Sequence, residues 1–189
     1  MLFRSSKLIR TLDNRDLAAL RSFVATDIRI SLDDKNRKGW DAFVSEWRLT
    51  EKKIRDSQLW DRLRETLRLG GSFEGEEFHS PYVFSRWPSR YPRLDFYAVI
   101  SRSASLRRKP SFEAGVLETL SQELVGRFDA VPNPPGWRAV RAASGNTGYM
   151  RSEDTRSPLD YRAVFRKIKG EWKLVLFASG DWEAHERFE

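Results

Sequence analysis

Residues 96–150 read FYAVISRSASLRRKPSFEAGVLETLSQELVGRFDAVPNPPGWRAVRAASGNTGYM, and the fold depends on how this stretch is parsed. Its apolar runs at 97–100, 116–117 with Leu120, 124–125, 137–140 and 149–150 are each too brief for an ordinary helix. Turn-forming residues separate them, which is the pattern of short strands in a small, strongly bent β-structure. Pro110 fixes φ and lacks an N–H, so it marks a strand end or turn. The segment 131–136, VPNPPG, is a loop in which each residue before a proline is pushed toward extended geometry. Trp137 and Val140 open the next strand. Ser144-Gly145-Asn146-Thr147-Gly148 then supplies residues that tolerate positive φ at a tight hairpin, and Tyr149 and Met150 resume the sheet.

In order and spacing, Leu106-Arg107-x-x-Pro110, Gly136-Trp137-x-x-Val140 and Gly145-x-x-Gly148-Tyr149-Met150 resemble the bacterial Src-homology-3-like domain. The family pattern is Leu-x-x-Arg-x-x-Pro, a Gly-Trp-x-x-Val strand and a Gly-x-x-Gly-aromatic-hydrophobic strand. The resemblance spans about a third of the chain and implies a small β-barrel that binds ligands without catalysing a reaction. It also implies a location in the bacterial cell envelope, with a cytoplasmic protein as the alternative. On this reading Tyr97, Trp137 and Tyr149 face a shallow groove, with Arg107 and Arg138 at its rim, and the partner is an extended peptide or a peptidoglycan fragment. Aromatic rings give contact area at small entropic cost, and a guanidinium anchors a carboxylate in bidentate fashion. Tyr97, Phe128, Trp137 and Tyr149 also read simply as core and rim aromatics of such a barrel.

The flanks mix helix and strand. Leu8, Ile9, Leu12, Leu17, Leu20, Phe23 and Val24 fall on one helical face over 6–24, with Asp13 or Asn14 able to cap a second segment. Residues 28–32 alternate as a strand, 33–39 form a charged turn, and Trp40, Phe43, Val44 and Trp47 recur at helical spacing. A further helix over 59–69 stops at Gly70-Gly71. Residues 72–84 read as a hairpin turning near 74–76, and 87–92 as a proline-punctuated linker. Residues 161–168 and 171–177 form a hairpin across Lys169-Gly170. The last hairpin, with Gly170, Trp172 and Gly180-Asp181, and the opening Asp16-Leu17-x-x-Leu20 resemble nuclear-transport-factor-like (cystatin-like) α+β cones. The expected fold class is therefore α+β, with a small Src-homology-3-like barrel over 96–155 inserted in, or following, a cone-like unit drawn from 1–95 and 156–189. The rival arrangement is an independent helical N-terminal domain followed by a barrel with an extra hairpin.

Composition limits the chemistry. The chain has 189 residues, no cysteine and a net charge of +7, so a disulfide framework, a cysteine-ligated zinc site and a thiol nucleophile are excluded. The excess charge is spread evenly, 19 basic and 15 acidic side chains over 1–96 against 15 and 12 over 97–189, which argues against nucleic acid. A nucleic acid or other anionic polymer nevertheless remains the alternative partner, for Arg102, Arg107, Arg108, Lys109, Arg138 and Arg141. No stretch is long and apolar enough to span a membrane, and residues 1–7 lack the apolar core of a secretory signal. The two histidines, His79 in a strand and His185 in the charged C-terminal segment, read as structural or surface residues, and Asp95, Asp160 and Asp181 stand alone. No phosphate loop, metal-ligand spacing or nucleophile elbow is present. The expectation is a non-enzymatic binding or scaffolding protein without a cofactor, its oligomeric state not legible. A small-molecule enzyme or binder using a pocket in the cone-like half is the alternative, and a cavity reaching His79 or a buried Asp discriminates it.

Overall fold

The computed structural model describes residues 5–32, 34, 36–50, 53–129, 131 and 133–180; His185, Asp181 and part of the 33–39 turn lie outside them. Helices α1 (Ser5–Asp13) and α2 (Leu17–Phe23) lead into β1 (Val24–Arg29), α3 (Trp40–Glu46), α4 (Leu59–Arg68), β2 (Ser72–Glu74), β3 (Glu77–Ser80) and the single-turn α5 (Tyr82–Ser85). There follow β4 (Phe96–Val99), β5 (Ala104–Arg107), β6 (Val116–Leu120), β7 (Leu124–Arg127), β8 (Trp137–Arg141), β9 (Thr147–Arg151) and β10 (Thr155–Arg156), then the hairpin β11 (Arg162–Ile168) and β12 (Glu171–Ala178). The chain divides into two compact units, one drawn from Met1–Arg86 and Leu159–Glu189, the other from Trp87–Pro158.

Among the described residues the 12 strands make two large sheets, with 34% of residues in strand against 25% in helix, and no barrel closes. This corrects the expected fold class. The chain is mostly β, and neither a closed Src-homology-3-like barrel nor a clear α+β cone describes it. The physical reason lies at the sheet edges. The seven-stranded order is β10-β4-β7-β8-β9-β5-β6, so closure requires β6 to meet β10. β10 contributes two residues, Thr155 and Arg156, both paired to β4, which leaves too short a ladder to seal a seam.

The seven-stranded sheet nevertheless curls around its own side chains. Tyr97, Val99, Ala104, Leu106, Leu120, Val125, Val140 and Met150 from six strands, with Ala142 just after β8, form one buried cluster. In a flat sheet strands four or five places apart are separated by about 20 Å, so these residues meet only because the sheet bends onto itself. Gly148 permits the tightest approach: a Cβ there would stand 2.4 Å from the Arg107 carbonyl oxygen and 3.2 Å from Leu106 and Leu117 methyls. Gly145, at φ 91°, makes the preceding turn.

The other unit stacks helices on one face of the sheet β1-β12-β11-β3-β2, in which β1 runs parallel to β12 and the remaining pairs are antiparallel. On α4, Leu59, Leu63, Thr66 and Leu67 recur at helical spacing and are buried with Trp60. They join Leu8, Leu12, Leu20, Ile28, Phe43, Phe165, Leu174 and Phe177 in the larger core. Three local expectations are corrected. The cap of α2 is Asp16, whose Oδ1 accepts from the Ala19 N–H at 2.9 Å. The first strand starts at Val24, where pairing with Leu174 overrides the helical spacing of Val24. Residues 82–85 turn into α5 and do not continue β3. No helix among the described residues is long and apolar enough to cross a membrane.

Gly148→Ala should cost about 1–3 kcal/mol, the usual range for forcing atoms into a filled site, because the new methyl meets backbone that cannot rotate away. The measurement is the urea midpoint of the purified protein, and an unchanged midpoint contradicts the close packing of β9 on β5.

Candidate functional site

The alternation of β8 splits the five residues expected to line a groove. Arg138 pairs with Met150 and Val140 with Gly148, so Arg138 shares the inward face with the core residues, while Trp137, Ala139, Tyr149 and Arg151 share the outward one. Tyr97 lies on the inward face, 1% exposed, with the Arg127 and Arg138 guanidinium carbons 4.5 and 4.3 Å from its ring centre. Arg138 is 4% exposed. On the outward face Arg107 is paired with Tyr149, and both are half-buried. Arg107 Nη1 donates to the Phe112 and Ala114 carbonyls at 2.9 and 2.8 Å, which makes it the organiser of the β5–β6 loop. Trp137 is 8% exposed, with the Phe112 ring edge-on at 5.6 Å and the Arg151 guanidinium carbon at 5.5 Å. The expectation of an open groove bearing Tyr97, Trp137, Tyr149, Arg107 and Arg138 is corrected accordingly. Two of the five face the core, and Trp137 is covered by its neighbours. Of the basic set, Arg102, Arg108, Lys109 and Arg141 are exposed, but the burial of Arg138 removes it from any shared patch.

A cavity of about 580 Å³ lies instead on the five-stranded sheet. Along β11 the side chains alternate: Ala163 and Phe165 enter the larger core, while Arg162, Val164, Arg166 and Ile168 line the cavity. On β12 the register shifts, Val164 opposing Leu176 and Phe165 opposing Leu174, which leaves Val175 as a bulged residue. The bulge turns both Val175 and Leu176 to the cavity. With Val164, Ala178 and Leu32 they form an aliphatic cluster separate from the larger core. Successive registers place Arg29, Leu176, Val164 and His79 in one row across β1, β12, β11 and β3. The cavity floor is thus aliphatic in the middle of the row and polar at both ends.

At the β3 end Glu77 holds Arg166 and His79 together. The Arg166 Nε donates to Glu77 Oε1 at 2.8 Å, and His79 Nε2 lies 3.1 Å from Glu77 Oε2. Burial pushes the Glu77 carboxyl up, but the Arg166 guanidinium and the His79 ring outweigh it and hold the pKa below the ordinary 4.5. The His79 side chain is 14% exposed, its Nδ1 is buried without a hydrogen-bond partner, and its ring stacks on Phe84 at 6.3 Å and 17°. Arg162 also packs on Phe84, its guanidinium carbon 4.4 Å from the ring centre.

The helical layer fixes this wall. Ser80 Oγ lies 2.8 Å from both the Thr66 and Gly70 carbonyls, tying the end of β3 to the C-terminus of α4. Gly71 passes so close to β3 that a Cβ would stand 2.1 Å from the His79 carbonyl oxygen.

At the β1 end, Arg29 and Lys38 are bridge partners, and Asp27 lies two residues from Arg29 on the same strand; all three line the cavity. Arg29 Nη2 donates to the Ser31 and Leu32 carbonyls at 3.4 and 3.2 Å. Among the described residues no three or more His, Asp or Glu side chains gather to hold a metal. Sequence reading singled out His79 alone of the lining. A usable signal was the Arg-x-Val-x-Arg-x-Ile alternation of β11, a strand face too charged for a core and too aliphatic for an ordinary solvated surface.

Trp137→Ala should destabilise the protein by about 3–5 kcal/mol, the usual cost of removing a buried Trp, as measured by urea denaturation; a neutral substitution contradicts its burial. For Glu77 the folded pKa lies below the unfolded one, so its stabilisation is complete above about 4.5 and is lost as pH falls through the folded value. The stability difference between wild type and Glu77→Gln should therefore shrink between about pH 4.5 and strongly acid solution; a difference that grows there has the wrong sign. No family model matches the chain, and no curated protein and no solved structure matches it either, so the chemistry of the cavity itself carries the functional reading.

Proposed function

We propose that this protein is a non-catalytic binding protein that holds a small, largely apolar organic molecule in the cavity of its five-stranded unit. The observation that carries this reading is the cavity itself: about 580 Å³, with its own aliphatic floor at Val164, Val175, Leu176 and Leu32 and charged groups confined to the ends. Ligand sites commonly enclose about 300–1,000 Å³ and combine an apolar lining with a few placed polar groups. Val164 and Leu176 are 7% and 9% exposed and Val175 and Leu32 half-buried, and an apolar body gains roughly 25 cal/mol for each Å² of that remaining surface it covers.

Binding is preferred over turnover because the cavity reaches His79 without freeing it. A general base must come within hydrogen-bond reach of the proton it takes. Here Nε2 is engaged with Glu77 and Nδ1 is buried. Glu77 accepts from Arg166, which lowers its basicity. The peptide or peptidoglycan reading needs an open aromatic groove on the seven-stranded unit, and the burial of Tyr97 and Trp137 leaves it without that support.

Val164→Trp should fill the cavity from its centre. In a fragment screen read by methyl NMR, apolar fragments are expected to shift Val164, Ile168, Val175 and Leu176 in the wild type, with micromolar to millimolar affinity. Those shifts should vanish in the filled variant, checked for folding by circular dichroism. Fragments that bind both proteins alike, or a screen that leaves these methyls unmoved, would overturn the reading.

A further inference from the structure

The two ends of the cavity differ in how their cations are engaged, and the end whose cations have no acidic partner among the described residues indicates what the ligand carries. At the β3 end Arg166, Glu77 and His79 are engaged with one another. At the β1 end, Arg29 Nη1 and the Lys38 ammonium have no hydrogen-bond or ion-pair partner among the described residues, and Arg29 Nε is buried without one. Bridge pairing sets Arg29 and Lys38 side by side on neighbouring backbone segments. Asp27 lines the same end without forming an ion pair to either. Two cations and one carboxylate leave one net positive charge there, which matches a monoanion and disfavours a dianion.

Building on the binding role of this cavity, we infer that its ligand is an organic monocarboxylate, with the carboxylate on Arg29 and Lys38 and the apolar body lying across Leu176 and Val164 toward His79 and Phe84. The row Arg29, Leu176, Val164, His79 sets the scale. The aliphatic part spans two strand spacings from Arg29, about 10 Å, and the full row about 14 Å. A chain of roughly eight carbons, or an aryl-alkyl acid of the same length, covers that floor. A planar carboxylate suits a guanidinium beside an ammonium, because charge-assisted hydrogen bonds from both can share its two oxygens. Arg162 also lines the cavity but is laid on the Phe84 ring, which makes it the competing head-group site to be excluded.

The test titrates octanoate, octan-1-ol, octylamine and octyl phosphate into the wild-type protein and into Arg29→Gln, Lys38→Gln, Arg162→Gln and Val164→Trp. Methyl shifts of Val164 and Leu176 report where each probe sits. Octanoate should bind the wild type at least about tenfold more tightly than the alcohol, the amine or the phosphate. Its affinity should fall about tenfold in each of the Arg29 and Lys38 variants, the order expected for a lost charge-assisted hydrogen bond, and should weaken with added salt. The Arg162 variant should bind as the wild type does. If all four probes bind the wild type equally and Val164→Trp blocks them, the cavity binds ligands but the carboxylate assignment is overturned. If only Arg162→Gln weakens octanoate, the assigned orientation is overturned. If no probe moves the Val164 and Leu176 methyls, this inference is overturned for eight-carbon acids, and the separate fragment screen decides whether the cavity binds anything.

Discussion

The pairing of β11 with β12 is the constraint on which the rest of the five-stranded unit depends. The two strands are held by a short turn at Lys169 and Gly170, so their registry forms at small entropic cost and can template what joins later. Everything else on that sheet comes from far away in the chain: β1 docks parallel to β12, and β3 docks antiparallel to β11. One irregularity in the central pair has a large effect. Because Val175 is bulged, the inward alternation of β12 is interrupted, and two aliphatic residues in succession reach the face away from the helices. A regular strand would have sent one of them into the larger core.

The two faces of this sheet are treated differently for a plain energetic reason. The helical side buries Phe165, Leu174 and Phe177 under α1, α3 and α4, which supplies the hydrophobic stabilisation. The opposite side carries Arg162 and Arg166 between aliphatic residues. Burying those guanidiniums fully without partners would cost several kcal/mol each, so this face stays open at its rim. Glu77 resolves part of the charge by pairing with Arg166, while Arg29 and Lys38 have no acidic partner among the described residues.

In the seven-stranded unit the limiting factor is geometric. Eight side chains from six strands, with Ala142, must meet in one cluster, which demands strong curvature, and Gly148 supplies a contact where no side chain fits. The same curvature brings Arg138 and Arg127 over the Tyr97 ring. A guanidinium can lie in so apolar a place because an aromatic face offers it an electrostatic partner while its aliphatic stem packs. The edges β6 and β10 stay apart because β10 is only two residues long.

The amino-acid sequence by itself determined the local pieces: the hairpin at Lys169-Gly170, the α4 stop at Gly70-Gly71, the aromatic helix from Trp40, and the turn-punctuated strands of 96–150. Each rests on interactions among near neighbours, which spacing and turn chemistry report directly. Strand alternation sets the adjacent Trp137 and Arg138 on opposite faces, which the expected groove, with Trp137 on its face and Arg138 at its rim, left out of account. Only the tertiary structure decided which of them faces inward, because a period of two assigns residues to shared faces without saying which face will be covered. Sheet closure was equally out of reach, since it depends on whether two strands distant in the chain meet at the edges. The cavity belongs to the same class. Arg29, Leu176, Val164 and His79 come from four strands scattered along the chain, and no spacing within any one of them announces that long-range registry will set all four in a row.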